Sequence, residues 1–198
     1  MDFGAIIAIL MGTVLVNNYV LNRFLGICPF LGVTKELKNS IGMGLAVTFV
    51  MVFATAFTWP IHNFVLQQHG LDYLQTIVFV LVIAAFVQLV EITLKRYVPS
   101  LYKAFGVFLP LMATNCAILA VTLENVRSNF AFGESLLTAF SAGVGILFAM
   151  VIFSGIREHT ENADPPQSFR GLPITLIAVA ILSLSFFGFS GVIENLFG

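Results

Sequence analysis

The chain has 198 residues, of which 59% are hydrophobic and only 10% charged, with a formal net charge of −1. A soluble domain carries about a quarter charged residues, so this chain has too few to wet a globular surface. The near-zero charge argues against nucleic acid as a partner, and the mean hydropathy of +0.99 points to the lipid bilayer as solvent.

Six apolar crossings follow in chain order, at about Phe3–Val33, Ile41–Trp59, Leu71–Leu94, Leu101–Leu123, Gly133–Ile156 and Leu172–Ile193. The breaks between them gather the charge and turn residues: TKELKNS, PIHNFVLQQHG, KRYVPS, ENVRSN and REHTENADPPQSFRG. The expected fold is therefore an all-α membrane protein of six transmembrane helices, forming one integral membrane domain. The opening MDFGAIIAIL lacks the basic lead and cleavage site of a removed signal peptide, so the first span is expected to be retained.

Basic residues orient the spans. Lys35, Lys38, Lys95, Arg96, Lys103, Arg157 and Arg170 fall on one side, and only Arg127 on the other. Both termini are expected to face away from the cytoplasm.

A cut near Pro99 leaves halves 1–98 and 99–198 with three spans each. Three is odd, so two similar halves would be inserted upside down relative to each other. The first span of each half carries Phe-Leu, a helix breaker and a cysteine: FLGICPFLGV (Phe24–Val33) and FLPLMATNCAILAV (Phe108–Val121). The second spans carry GMGLAVTF and GVGILFAM, whose Gly42, Gly44, Gly143 and Gly145 suit close helix packing. No gap-free register aligns both pairs. Inverted repeats with broken helices place a site near the bilayer midplane.

The first span is too long for one helix. Phe3–Val33 is 31 residues, about 46 Å as a helix against an apolar core of about 30 Å. Gly26 and Pro29 stand where a helix would be interrupted. A discontinuous or re-entrant segment is expected in the first span of each half.

Cys28 and Cys116 are the only cysteines. As small hydrophobes they suit helix packing. As metal ligands they supply half of the four thiolates that a simple iron–sulfur cluster needs, and zinc is a further option by ligand type. Asn17, Asn18, Asn22 and Arg23 form a polar run in the first span, and Thr114 and Asn115 precede Cys116. Polar residues at membrane depth face protein or a cavity. They either hydrogen-bond between helices, with Arg23 snorkelling to an interface, or donate to cluster sulfurs. Glu91 stands four residues before Lys95, a favourable helical ion-pair spacing, with Gln88 a turn earlier. His62 and His69 have no cysteine or carboxylate companions at ligand spacing. No nucleotide-binding or hydrolase motif occurs, and no catalytic residue is assigned.

The runs GTVLVNNYVLNRFLGICPFLGV, LYKAFGVFLPLMATNCAILAV, IREHTENADPPQSFRG and FFGFSGV resemble the family of A-type membrane subunits of the Rnf complex, the ferredoxin:NAD oxidoreductase of bacterial membranes. A sister family is formed by the E-type subunits of the sodium-pumping NADH:quinone oxidoreductase. The resemblance implies an electron-transfer component of the inner membrane, without activity of its own. It implies that Cys28 and Cys116 ligate one 2Fe-2S cluster shared with a paralogous membrane protein of opposite topology, the E-type component of Rnf. It also implies further partner subunits carrying flavins and iron–sulfur clusters, and coupling to sodium or proton movement. A secondary transporter with inverted repeats, and a scaffold with cysteines as packing residues, are the competing readings of the residues alone.

Overall fold

The computed structural model describes residues 12–16, 18–34, 37–66, 72–97, 112–161, 166 and 171–197. Among these the chain is built of helices and turns. The helices are α1 (Ile27–Val33), α2 (Leu37–Ile61), α3 (Gln75–Tyr97), α4 (Cys116–Arg127), α5 (Phe132–Glu161) and α6 (Leu172–Phe197).

Three stretches are long and apolar enough to cross a membrane: Leu37–Phe64, Gln75–Thr93 and Phe132–Thr160. Leu172–Gly188 is a shorter apolar helix. The surface of α2 shows what solvent it suits. Leu45, Phe49, Phe53 and Phe57 repeat every four residues and are all exposed, while Met43, Val47, Met51 and Ala54 on the opposite side are fully buried. A helix apolar on both faces belongs in a hydrophobic surround. The chain is a multi-pass membrane protein.

The core is the crossing of α2 and α5. A Cβ added at Gly44 would lie 3.0 Å from the Leu147 backbone, and one at Gly143 would lie 2.8 Å from Thr48 Cα. Gly44 thus faces Leu147 while Thr48, one turn on, faces Gly143, so the two helices run antiparallel where they touch. Of the glycines expected to permit close packing, Gly44, Gly143 and Gly145 do so. In the same helices hydroxyls are satisfied within their own turns: Thr48 donates to the Gly44 carbonyl and Ser141 to that of Leu137, both at 2.7 Å.

The remaining helices close on this pair. Phe79, Ile83 and Val87 of α3, Ile118 and Val121 of α4 and Val179 of α6 join the same buried cluster. The Trp59 indole N–H of α2 donates to the Phe130 carbonyl beyond α4 at 3.0 Å, and its ring meets Phe132 edge-on. Gln88 and Glu91 ride on α3, with Lys95 and Arg96 in its last turn. His62, just past α2, stands edge-on to Phe79.

Candidate metal-ligand site at two helix breaks

The first span is discontinuous, as its length requires. Residues 18–26 are turn rather than helix, and α1 begins only at Ile27. The break is fixed at Gly26, whose φ of +80° lies in the left-handed region and is open to glycine at little cost. Pro29 does not break the chain. It sits inside the first turn of α1, where a missing N–H leaves no hydrogen bond unmade. The chain is also broken just before Cys116. After a short turn, Asn115 is extended and caps α4, its side chain accepting from the Ala117 N–H at 3.0 Å. Pro110, Asn17 and His69 lie outside the described residues.

Each break delivers a cysteine into the first turn of a helix: Cys28 in α1, Cys116 as the first residue of α4. Both thiols are exposed. The two breaks interlock, because the backbone N–H of Gly26 donates to Cys116 Sγ at 2.9 Å. Cys28 lies only two residues beyond Gly26, at most about 7 Å along the chain. The fold therefore brings both cysteines to one place on the surface.

Several contacts hold this place rigid. The Phe30 ring, fully buried, stacks on Phe153 of α5 with centroids 4.5 Å apart. Arg157 of α5 donates to the Leu31 carbonyl at 2.8 Å and to Thr34 Oγ1 at 3.3 Å. It thereby caps the C-terminal end of α1, where a cation is favoured. An isolated helix of seven residues is unstable, so α1 depends on these anchors.

In the polar run, Asn18 and Asn115 hydrogen-bond to the backbone. Asn18 is buried and serves the fold: its Nδ2 donates to the Gly145 carbonyl at 2.8 Å and to that of Val14 at 3.3 Å. Its Oδ1 accepts from the N–H groups of Val20 and Leu21. Ser183 of α6 donates in turn to the Leu21 carbonyl. Asn22 closes the turn by donating its N–H to the Asn18 carbonyl at 2.9 Å. Asn115 is occupied with the α4 cap, and Thr114 beside it is exposed.

Arg23 finds a partner on another segment. Its guanidinium pairs with Glu124 of α4 at 2.8 Å and lies 5.2 Å above the Tyr19 ring. Glu124 was invisible as a partner in the sequence, 101 residues away, since nothing local marks a long-range pair. The bond is a second tie between the Cys28 and Cys116 segments. Among the described residues no third or fourth histidine, cysteine or carboxylate joins the two thiols.

The chain matches a family model described as "Rnf-Nqr subunit, membrane protein" over residues 6–193. It is 49% identical over 190 residues to the A-type component of the ion-translocating oxidoreductase complex of Syntrophotalea carbinolica, covering 96% of this chain and 98% of that one. It is 48% identical over 186 residues to the A-type component of the Na(+)-translocating ferredoxin:NAD(+) oxidoreductase complex of Acetobacterium woodii, covering 94% and 97%. The corresponding protein of the ion-translocating oxidoreductase complex of Edwardsiella ictaluri is 49% identical over 186 residues, covering 94% and 96%.

Proposed function

The chain belongs to the Rnf-Nqr family of membrane subunits, and on that premise we propose that it is the A-type component of an ion-translocating ferredoxin:NAD oxidoreductase, shuttling electrons through the membrane. Cys28 and Cys116 are then two of four thiolate ligands of a 2Fe-2S cluster, and a paralogous membrane protein of opposite topology gives the other two. Redox activity resides in the whole complex, whose other subunits carry flavins and iron–sulfur centres.

The carrying observation is the interlock of the two breaks, with both thiols exposed and Gly26 donating to Cys116 Sγ. Exposed cysteines contribute little to packing, which weakens the scaffold reading. A cluster of this kind needs four thiolates, and two per chain fit a shared site. Bound there, the cluster supplies one-electron chemistry. The chain's own part is to hold the two thiolates close to each other and to direct an N–H at one of them.

Pseudo-symmetry supports two inverted three-helix halves. A shift of 99 residues carries Gly44 to Gly143, Thr48 to Leu147 and Leu31 to Phe130, and carries Trp59 to the neighbour of Arg157. Each of these contacts then has a counterpart with the halves exchanged. An antiparallel pair of equivalent helices is what an in-plane pseudo-two-fold requires.

Two tests bear on this assignment. Iron and acid-labile sulfide should be found in the purified complex in amounts that fall when either cysteine is removed. Expressed without the paralogue, the chain should bind no iron and aggregate in detergent; a well-behaved iron-free monomer would favour a transporter or scaffold. Topology is tested separately. The bias of seven basic residues against one places both termini on the periplasmic side of the inner membrane, so reporter fusions at Gly198 should score as periplasmic. A cytoplasmic score would overturn the span count.

A further inference from the structure

We propose that Gly26 is a positioning residue that sets the redox potential at Cys116, by donating its backbone N–H to that sulfur across the two breaks. The proposal rests on the assignment of Cys116 as a cluster ligand and deepens it.

Three observations carry the proposal. The first is the bond itself, Gly26 N–H to Cys116 Sγ at 2.9 Å, which joins residues 90 apart in sequence. The second is that the donor is held in place from both sides. On the Gly26 side, the turn is closed by the Leu25 N–H donating to the Tyr19 carbonyl at 2.9 Å. On the Cys116 side, the Asn115 cap fixes the start of α4. The third is that the position favours glycine and crowds any side chain. Its φ is +80°, and a Cβ there would lie 3.2 Å from both Ala117 Cβ and Asn115 Oδ1. Those are the residues flanking Cys116, so a side chain at position 26 pushes directly on the segment that carries the sulfur.

The electrostatics give the sign. A thiolate that ligates iron gains negative charge when its cluster takes up an electron. An N–H dipole aimed at the sulfur favours that state and raises the potential. Among the described residues the two cysteines are unequal in this respect. Cys28 is followed by Pro29, which has no N–H to offer, whereas Cys116 receives a donor from the opposite half of the chain. The Cys28 segment therefore tunes the ligand of the Cys116 segment.

The test is a redox titration of the intact complex, followed by the electron paramagnetic resonance of the reduced cluster. Gly26→Ala should keep iron and acid-labile sulfide at wild-type stoichiometry yet lower the midpoint. The ratio of reduced to oxidised cluster at the wild-type midpoint should fall about tenfold, which is 59 mV for one electron. Adding Ala117→Gly removes one of the two close contacts and should recover part of the shift, while Ala117→Gly alone leaves the midpoint unchanged. A Gly26→Ala complex with full iron and an unchanged midpoint would overturn the role of Gly26 and leave the ligand assignment standing. Full iron in a Cys116→Ser complex would instead remove the assignment on which it rests. Should Gly26→Ala fail to assemble, the wild-type complex decides. With ¹⁵N-glycine incorporated, the reduced cluster should show hyperfine coupling to a glycine amide nitrogen, and its absence overturns the proposal.

Discussion

Serine at position 28 or at position 116 is expected to abolish the intramembrane cluster signal and electron flow through the complex, while the flavins of the other subunits stay bound. A serine hydroxyl is close in size to a thiol but is not deprotonated near neutral pH, so it replaces the ligand in shape and not in charge. Substituting residues that merely support a metal ligand costs about 10–100-fold, and loss of the ligand itself should exceed that. Stability should hardly change. Cys28 is exposed, and exposed substitutions away from caps and buried networks shift stability by within about 0.5 kcal/mol; at Cys116 the serine oxygen replaces the sulfur as acceptor for the Gly26 N–H. This separation makes the experiment decisive. If the cysteines were packing residues, serine would change melting temperature and leave turnover intact. If they are ligands, iron content falls by the share of one 2Fe-2S cluster, and that cluster's reduced-state resonance disappears from a complex that still assembles. A serine variant with normal iron and turnover would end the ligand assignment.

The cysteine-bearing breaks were legible in the sequence because local chemistry writes them. An apolar run too long for one helix needs an interruption, and Gly26 supplies the left-handed residue that makes one. Pro29 misled for an equally local reason: proline disfavours helix interiors, but the first turn is the one helical place that accepts it. What the sequence hid is the long-range wiring. Arg23 to Glu124, Arg157 to the Leu31 carbonyl and Trp59 to the Phe130 carbonyl each join segments far apart in the chain. No spacing rule reports such contacts. The imperfect internal register also has a structural origin. Cys28 stands 16 residues before Gly44 and Cys116 stands 27 before Gly143, and the greater length of α4, 12 residues against seven in α1, accounts for five of that difference. Asn18 shows the same limit at a single residue. Its polarity announced a role at depth, but only the fold reveals that its donors go to Gly145 and Val14 rather than to a sulfur.

The α2–α5 crossing should respond to alanine in a graded way that follows the space at each glycine. At Gly143 a Cβ would meet Thr48 Cγ2 at 2.6 Å, Oγ1 at 2.7 Å and, decisively, Cα at 2.8 Å. A side chain can rotate aside, but a backbone atom moves only if the helices separate. Overpacking of this kind costs about 1–3 kcal/mol, and a branched residue more. At Gly44 the nearest atoms are Leu147 Cα, Cβ and Cγ at 3.0 Å, so Gly44→Ala should destabilise less than Gly143→Ala. Gly155, on the same helix as Gly143, is exposed and has nothing within 4 Å. There alanine should be neutral or add about 0.5–1 kcal/mol through lower chain entropy. Thermal melting of the detergent-solubilised complex ranks the three. Thr48→Ala combined with Gly143→Ala removes Cγ2 and Oγ1 but leaves Cα in place, so it should recover only part of the loss. Equal melting of the Gly143→Ala and Gly155→Ala complexes would mean that the two helices do not touch through their backbones. The antiparallel crossing, and the pseudo-two-fold built on it, would then have to be given up.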